Sequence, residues 1–264
     1  MPNSFLYHKK NLVGKIQSNY KQIGDVFREF KETVYDRYQE QQCTIVETDE
    51  QAIHQKVQVL YEYYGTLDEF VSRVADEHGK KITPQSKFRP TVLEEFCGFL
   101  FKDLPQIEDL GLDFFNKKIF AGITLDKEGK AKIKTKDVDF CIGKQFNVKI
   151  GNENHVILIP IVAIEVKTYI DKTMFSEAQF TAQKMKQGSP NVRVYVLTEE
   201  NQIDVNEIPT KGQTPIDQIF VIRDKTTQQI SSDAVFEFYC EVKSVLEQIR
   251  RDTIINSVGG LLPD

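Results

Sequence analysis

The chain has 264 residues, of which 40% are hydrophobic and 28% charged, with a formal net charge of −5 at pH 7. That length can bury a sizeable core, and no apolar run approaches the ~20 residues that span a bilayer. The start, MPNSFLYHKK, has no basic segment followed by an apolar one, so no secretory signal is expected; the acidic balance argues against a nucleic-acid coat protein but leaves local clusters to set the field of a cleft.

Residues 15–42 read as one helix, with Ile16, Tyr20, Ile23, Phe27, Phe30, Val34 and Tyr38 at helical spacing. Thr48 is expected to cap a second helical run through Val57, Leu60 and Tyr64, which Gly65 interrupts and Gly79 ends. KKITPQSKFRP is a basic loop, contributing Lys80, Lys81, Lys87 and Arg89. TVLEEFCGFLFKDL is a helix with Val92, Leu93, Phe96, Phe99 and Leu100 on one face. The period then falls to two: KIFAGITL, KAKIKTKDVDFCIG and HVILIPIVAIEVKTY read as strands of a meander, joined by the turns DKEG and IGNEN. A second run of lysines, from Lys117 to Lys149, lies on these strands. TMFSEAQFTAQKMKQG is a helix with Phe175, Ala178, Ala182 and Met185 inward, followed by the buried strand VRVYVLT, a further strand IDQIFVIRD and a long amphipathic C-terminal helix. The strand–helix–strand unit should cross over to a parallel neighbour.

This order predicts an α/β fold. A helical region, 1–80, packs on a core of residues 81–225, and a C-terminal helix, 226–264, completes one compact unit.

Cys43, Cys97, Cys141 and Cys240 are scattered with no C-x-x-C pair, and the four histidines are equally dispersed. A disulfide framework or a zinc site is therefore not expected, a reducing cytoplasm is the default, and no phosphate-cradling glycine loop occurs.

Two segments carry the same tripeptide, Glu165-Val166-Lys167 and Glu241-Val242-Lys243. On a helix, residues two apart diverge by about 200°, so Glu241 and Lys243 on the C-terminal helix cannot converge, and Glu29 and Lys31 fail for the same reason. On a strand, residues two apart share a face, so Glu165 and Lys167 can meet at one point. Asp137 and Asp139 share a face just before the apolar Phe140, Cys141 and Ile142, and strand pairing can bring an aspartate to Glu165. Carboxylates so placed repel one another unless a cation joins them. A hard divalent ion such as Mg²⁺ is the natural one, since it takes one or two carboxylates and fills its shell with water and phosphate. Aspartate, glutamate, lysine and Mg²⁺ together suit metal-assisted phosphodiester hydrolysis.

DVDF, a strand, and then AIEVK before an alanine-rich helix resemble the PD-(D/E)XK nuclease superfamily. The resemblance implies its αβββαβ core, a mixed central sheet flanked by helices, with helical elaborations at both ends. Its motif here would be Asp139, Glu165 and Lys167. Asp139 is preferred because the family's aspartate leads directly into the apolar strand; Val138 stands where the family often has proline, which keeps Asp137 open. SKFRPTVLEEF is similar to the first core helix of type II restriction endonucleases, in particular the DdeI-like branch. That helix often supplies a glutamate, a role assigned to Glu95 at the border of the apolar stripe, with Glu94 as the alternative.

The resemblance implies an Mg²⁺-dependent restriction endonuclease that cuts double-stranded DNA at a specific sequence and leaves 5′-phosphate ends. Asp139, Glu165 and the Val166 carbonyl would hold the metal. Lys167 would act on the attacking water and the phosphate. Lys87, Arg89, Gln179 and Gln183 are candidates for DNA contact, because Arg and Gln match guanine and adenine edges. A homodimer is expected, and no membrane partner. The alternatives are a structure-specific repair or junction nuclease, and a non-catalytic DNA-binding or interaction module.

Overall fold

The protein is described by a computed structural model covering residues 4–79, 82, 87–210, 212–224 and 226–257. Lys80 and Lys81 of the basic loop lie outside the described residues.

The N-terminal region is helical, as its periodicity predicts, but its breaks fall elsewhere. Helix α1 spans Tyr7–Gln17, α2 spans Gly24–Phe30, and a π-helical stretch, Lys31–Tyr35, runs straight into α3, Asp36–Thr44. The single helix expected over 15–42 is therefore cut at residues 18–23. Asn19 and Gln22 there have φ of 45° and 67°, and the Asn19 Oδ1 accepts the Gly24 N–H at 3.2 Å. A Cβ on Gly24 would lie 2.9 Å from that same oxygen, so the corner needs glycine. Helix α4, Glu50–His78, runs unbroken through Gly65, and its cap is Asp49, not Thr48: Asp49 Oδ1 accepts the Ala52 N–H at 2.8 Å. A glycine within a helix costs about 1 kcal/mol relative to alanine, and burial of Leu60, Tyr63, Tyr64, Leu67 and Phe70 on both sides of Gly65 outweighs it. Gly79, at φ 58°, ends α4 as expected.

Helix α5, Pro90–Phe101, is buried along its whole length after Pro90. The sequence shows one apolar face; the fold packs the N-terminal helices, the sheet and the C-terminal helix around all sides. A short α6, Pro105–Asp109, leads to β1, Asp113–Phe115, a strand too short to show a period.

Strands β2, Ile119–Leu125, and β3, Ala131–Lys136, pair only with each other. The expected three-strand meander is thus divided: β2–β3 is a separate hairpin, and β4, Phe140–Ile150, pairs antiparallel with β1 and with β5, Glu153–Ile170. Helix α7, Lys172–Gly188, then connects β5 to its parallel neighbour β6, Arg193–Asn201, which pairs in parallel with β7, Gln218–Val221. The central sheet has the order β1-β4-β5-β6-β7 and is mixed. Helix α8, Ser232–Ser257, closes the described chain.

Alternation along the strands makes two cores. Val162, Ile164 and Val166 of β5 and Tyr195 and Leu197 of β6 join the larger one, with α1–α5 and Val235, Phe238, Val242 and Leu246 of α8. Ala163, Val194 and Val196 join the smaller one, under Phe175, Ala178, Ala182 and Met185 of α7. The N-terminal helices and the first half of α8 are thus part of the larger core. Gly188 ends α7 against β2, where a Cβ would come within 2.4 Å of the Ala121 backbone.

Candidate active site

The site occupies a notch in the sheet. β4 begins with Phe140 opposite Ile164, whereas β5 continues to Ile170 with only β6 beside it. Asp139, immediately before β4, fills the gap: its Oδ2 accepts the Val166 N–H at 3.0 Å. Glu165 and Lys167, two apart on β5, extend to the same side. Lys167 Nζ lies 3.2 Å from Glu165 Oε2 and 3.3 Å from Asp139 Oδ2. The three residues expected to converge therefore do.

The electrostatics follow from partial burial. Glu165 is 8% exposed; burial and then the Asp139 charge push its carboxyl above the ordinary range, with Lys167 and Lys136 opposing. Burial by itself would lower the Lys167 ammonium, but Asp139 and Glu165 outweigh it and raise its pKa. Lys167 is therefore a charged group in this state.

Glu94, not Glu95, faces this cluster. A cleft of about 360 Å³ is lined by Glu94, Asp139 and Thr91, by Lys10 and Asn11 of α1, and by Lys87, Asn116 and Lys117. Burial, and then Asp139, push the Glu94 carboxyl up to about 8. Glu95 is fully buried and points to the N-terminal helices, where it accepts the Tyr35 hydroxyl at 2.9 Å and the Lys9 N–H at 3.1 Å. Burial raises its carboxyl to about 7 despite these donors. The border of the apolar stripe cannot separate the two glutamates, because α5 has no solvent-facing stripe.

The other predicted residues divide between the cleft and the rest of the fold. Asp137 also lines the cleft; its Oδ1 accepts the Lys118 N–H at 3.3 Å, and it does not pair with Lys167. Lys87 is exposed and lines the cleft. Arg89 is tied up in the fold: its guanidinium pairs with Glu199 at 3.2 Å and with Asp68, and lies 4.7 Å from the Tyr64 ring centre. Gln179 donates to Thr214 Oγ1 at 3.2 Å and Gln183 is exposed; both are on α7 and neither lines the cleft. In the second Glu-Val-Lys, Glu241 accepts the Tyr195 hydroxyl at 2.9 Å while Lys243 lies over Tyr239, so the pair diverges as helical spacing requires. Sequence reasoning missed Lys10 and Asn11 at the cleft, which no periodic signal marks; Lys117 belongs to the lysine run that extends to Lys149.

The donor set fits a hard divalent cation. Asp139 and Glu165 offer carboxylate oxygens at one notch, and Mg²⁺ takes one or two carboxylates while retaining water. Among the described residues, no three His, Cys, Asp or Glu side chains form a ready cage, so the fit rests on this pair, both members of which Lys167 also contacts.

Residues 85–253 match the Bpu10I restriction endonuclease family. Among solved structures, the chain is similar to the native BbvCI A2B2 tetramer, at 20% sequence identity and a TM-score of 0.69 over 93% of this chain and 96% of that one. At that identity the likeness is one of fold, and the mixed sheet with flanking helices agrees with it. No curated protein sequence matches the chain.

Proposed function

We propose a mechanism for this chain, which belongs to the Bpu10I restriction endonuclease family and so is a site-specific endodeoxyribonuclease. The junction-nuclease and interaction-module alternatives have no comparable support. The observation that carries the mechanism is the convergence of Asp139, Glu165 and Lys167 at the notch where β4 begins.

Asp139, Glu165 and the Val166 carbonyl are the residues that would hold Mg²⁺. When bound, the ion supplies Lewis-acid stabilisation of charge on the phosphate and makes water more acidic. The chain supplies the rest. The Lys167 ammonium stabilises the charge that develops on the phosphoryl oxygens, in a partly buried notch where such stabilisation is strong. Its raised pKa supports this role over that of a base. Glu94, which faces the cleft and has its carboxyl raised to about 8, would orient the attacking water, the role assigned in sequence to Glu95, and in its deprotonated form would accept that water's proton. Water oxygen bonds to phosphorus, the 3′ oxygen leaves and is protonated, and the products are a 5′-phosphate and a 3′-hydroxyl.

Lys87, Lys10 and the exposed Lys132 and Lys134 of β3 would contact phosphates, so binding should weaken steeply with salt. Base readout by Gln183 stays a proposal; Gln179 would have to release Thr214, and Arg89 its two carboxylates. Each chain carries one acid–acid–lysine set, so cutting both strands requires two, and a homodimer provides them. The A2B2 composition of BbvCI favours a second reading, in which two different chains combine. Light scattering on the chain alone separates the two. The free cysteines, two of them buried, suit a reducing cytoplasm.

The test is cleavage of plasmid and phage DNA in Mg²⁺ by wild type, Lys167→Ala and Lys243→Ala. Discrete fragments from wild type and Lys243→Ala alone are expected. A smear would mean a nonspecific nuclease, and equal cleavage by Lys167→Ala would remove β5 from the mechanism.

A further inference from the structure

The turn entering β2 is held in a conformation that the mechanism above does not use. Lys117 and Lys118 are both left-handed, with φ of 77° and 48°. Residues other than glycine keep that backbone only where their surroundings enforce it, and such positions gather at ligand clamps. Two contacts enforce it here. The Lys117 N–H donates to the Val138 carbonyl at 2.9 Å, and the Lys118 N–H donates to Asp137 Oδ1 at 3.3 Å. Both acceptors lie on the link between β3 and β4, just before Asp139. The next residues, Ile119 and Lys136, are already paired across the hairpin. The turn and the link are therefore the closed base of β2–β3, and the backbone of Lys117 is one hydrogen bond and one residue away from Asp139.

This base brings Lys117 to the wall of the cleft that also holds Glu94 and Asp139. The lysine is exposed, and among the described residues no carboxylate is paired with it. Lys167 already serves the phosphate to be cut. A second ammonium at a fixed backbone offset from Asp139 suits a different phosphate of the same strand, because a nucleic-acid backbone repeats its charge at regular intervals.

We propose that Lys117 grips a phosphate of the scissile strand next to the one that is cut, and that Asp137 is the positioning residue that keeps it there. The proposal rests on the nuclease reading of the site. It gives Asp137, the unused candidate of the DVD sequence, a task of its own. It also places the lysine contact in register with the metal-side carboxylate, so that seating one phosphate seats its neighbour.

The test has a binding arm and a cleavage arm. Binding of a fluorescent random-sequence duplex is measured by anisotropy against salt in the Lys167→Ala background, which needs no cleavage. Lys117→Ala should weaken binding roughly tenfold and reduce the log–log salt slope by about 1. In the cleaving enzyme, the same change should raise KM with kcat little altered. Asp137→Ala should reproduce that KM effect. Asp137→Asn keeps an acceptor oxygen and should behave as wild type. Adding Lys118→Gly to Asp137→Ala should restore KM, since glycine adopts the left-handed turn unaided. Lys243→Ala, far from the cleft, is the unaffected control. A wild-type salt slope in Lys117→Ala overturns the grip. No recovery in the Asp137→Ala/Lys118→Gly double variant overturns the positioning role. Should wild type fail to cleave at all, the nuclease reading falls, and the binding arm still decides for or against Lys117.

Discussion

The Asp139 carboxylate accepts the Val166 backbone N–H at 3.0 Å, joining residues 27 apart in sequence. The bond closes the notch left where β4 stops short of β5. It satisfies a backbone donor that would otherwise be unpaired, and the same Oδ2 lies 3.3 Å from the Lys167 ammonium, which also reaches Glu165. One side chain thus completes the sheet and assembles the site.

Asp139→Asn separates those two tasks. The amide oxygen can still accept from Val166, so the fold should hold, while the charge is lost. We expect cleavage to fall by at least ~100-fold, the order found when one preorganised electrostatic contact is removed, with a melting temperature close to wild type. A variant that unfolds would show that the fold needs the Asp139 charge, opposite Lys167, and not only the bond to Val166.

The two glutamates of α5 should behave oppositely. Glu94→Gln faces the cleft and is expected to lower kcat by about 10²–10⁴-fold, the usual contribution of an acid–base group. Glu95→Gln sits among Tyr35 and Lys9 and should mainly lower the melting temperature. Steady-state kinetics and thermal melts on both variants decide; a larger kcat loss in Glu95→Gln than in Glu94→Gln, at equal folded fraction, would reverse the assignment.

Stability of the metal-free protein should fall as pH rises. The Glu94 carboxyl is raised from 4.5 to about 8, burial being the main cause, and Glu165 is raised as well. A carboxyl with a raised folded pKa favours the folded state while protonated, below its unfolded pKa. That contribution is lost as pH climbs from about 4.5 through 8. Melting temperatures between pH 5 and pH 8.5 should therefore decline, and less so in Glu94→Gln. Mg²⁺ needs the deprotonated groups, so its stabilising effect should grow over the same range. A flat profile in wild type would contradict the burial of Glu94.

Arg89→Ala should cost stability and leave the cleavage site unchanged. Glu199 is 3% exposed and keeps Arg223 at 2.7 Å when Arg89 is removed. Losing one of two partners at a buried carboxylate should destabilise by about 1–3 kcal/mol, read from urea unfolding. A change in the sequence cut would instead restore Arg89 to base recognition.

Much of the fold was legible in order along the chain. The switch from a period of 3.6 to a period of two after α5, and back at α7, marked the strands and the crossover helix, and the inward residues of α7 were all buried as read. Boundaries were less legible. The corner at Asn19–Gly24, the continuity of α4 through Gly65 and the separation of the β2–β3 hairpin depend on contacts between distant segments that no local period records.

The convergence of Glu165 and Lys167, the proposed catalytic pair on β5, was legible in the sequence alone. Strand spacing puts Glu165 and Lys167 on one face, and helix spacing keeps Glu241 and Lys243 apart, whatever the rest of the chain does. The resemblance already preferred Asp139 to Asp137, and the fold adds its bond to Val166; that Glu94 and not Glu95 lines the cleft was legible only in the tertiary structure. Asp139 alone stands where β4 gives out beside Val166, and α5 is enclosed on every side, so burial no longer distinguishes its faces. A side chain's direction from a single element follows from local geometry; its partner across the fold follows from packing, which the sequence encodes only through the whole chain.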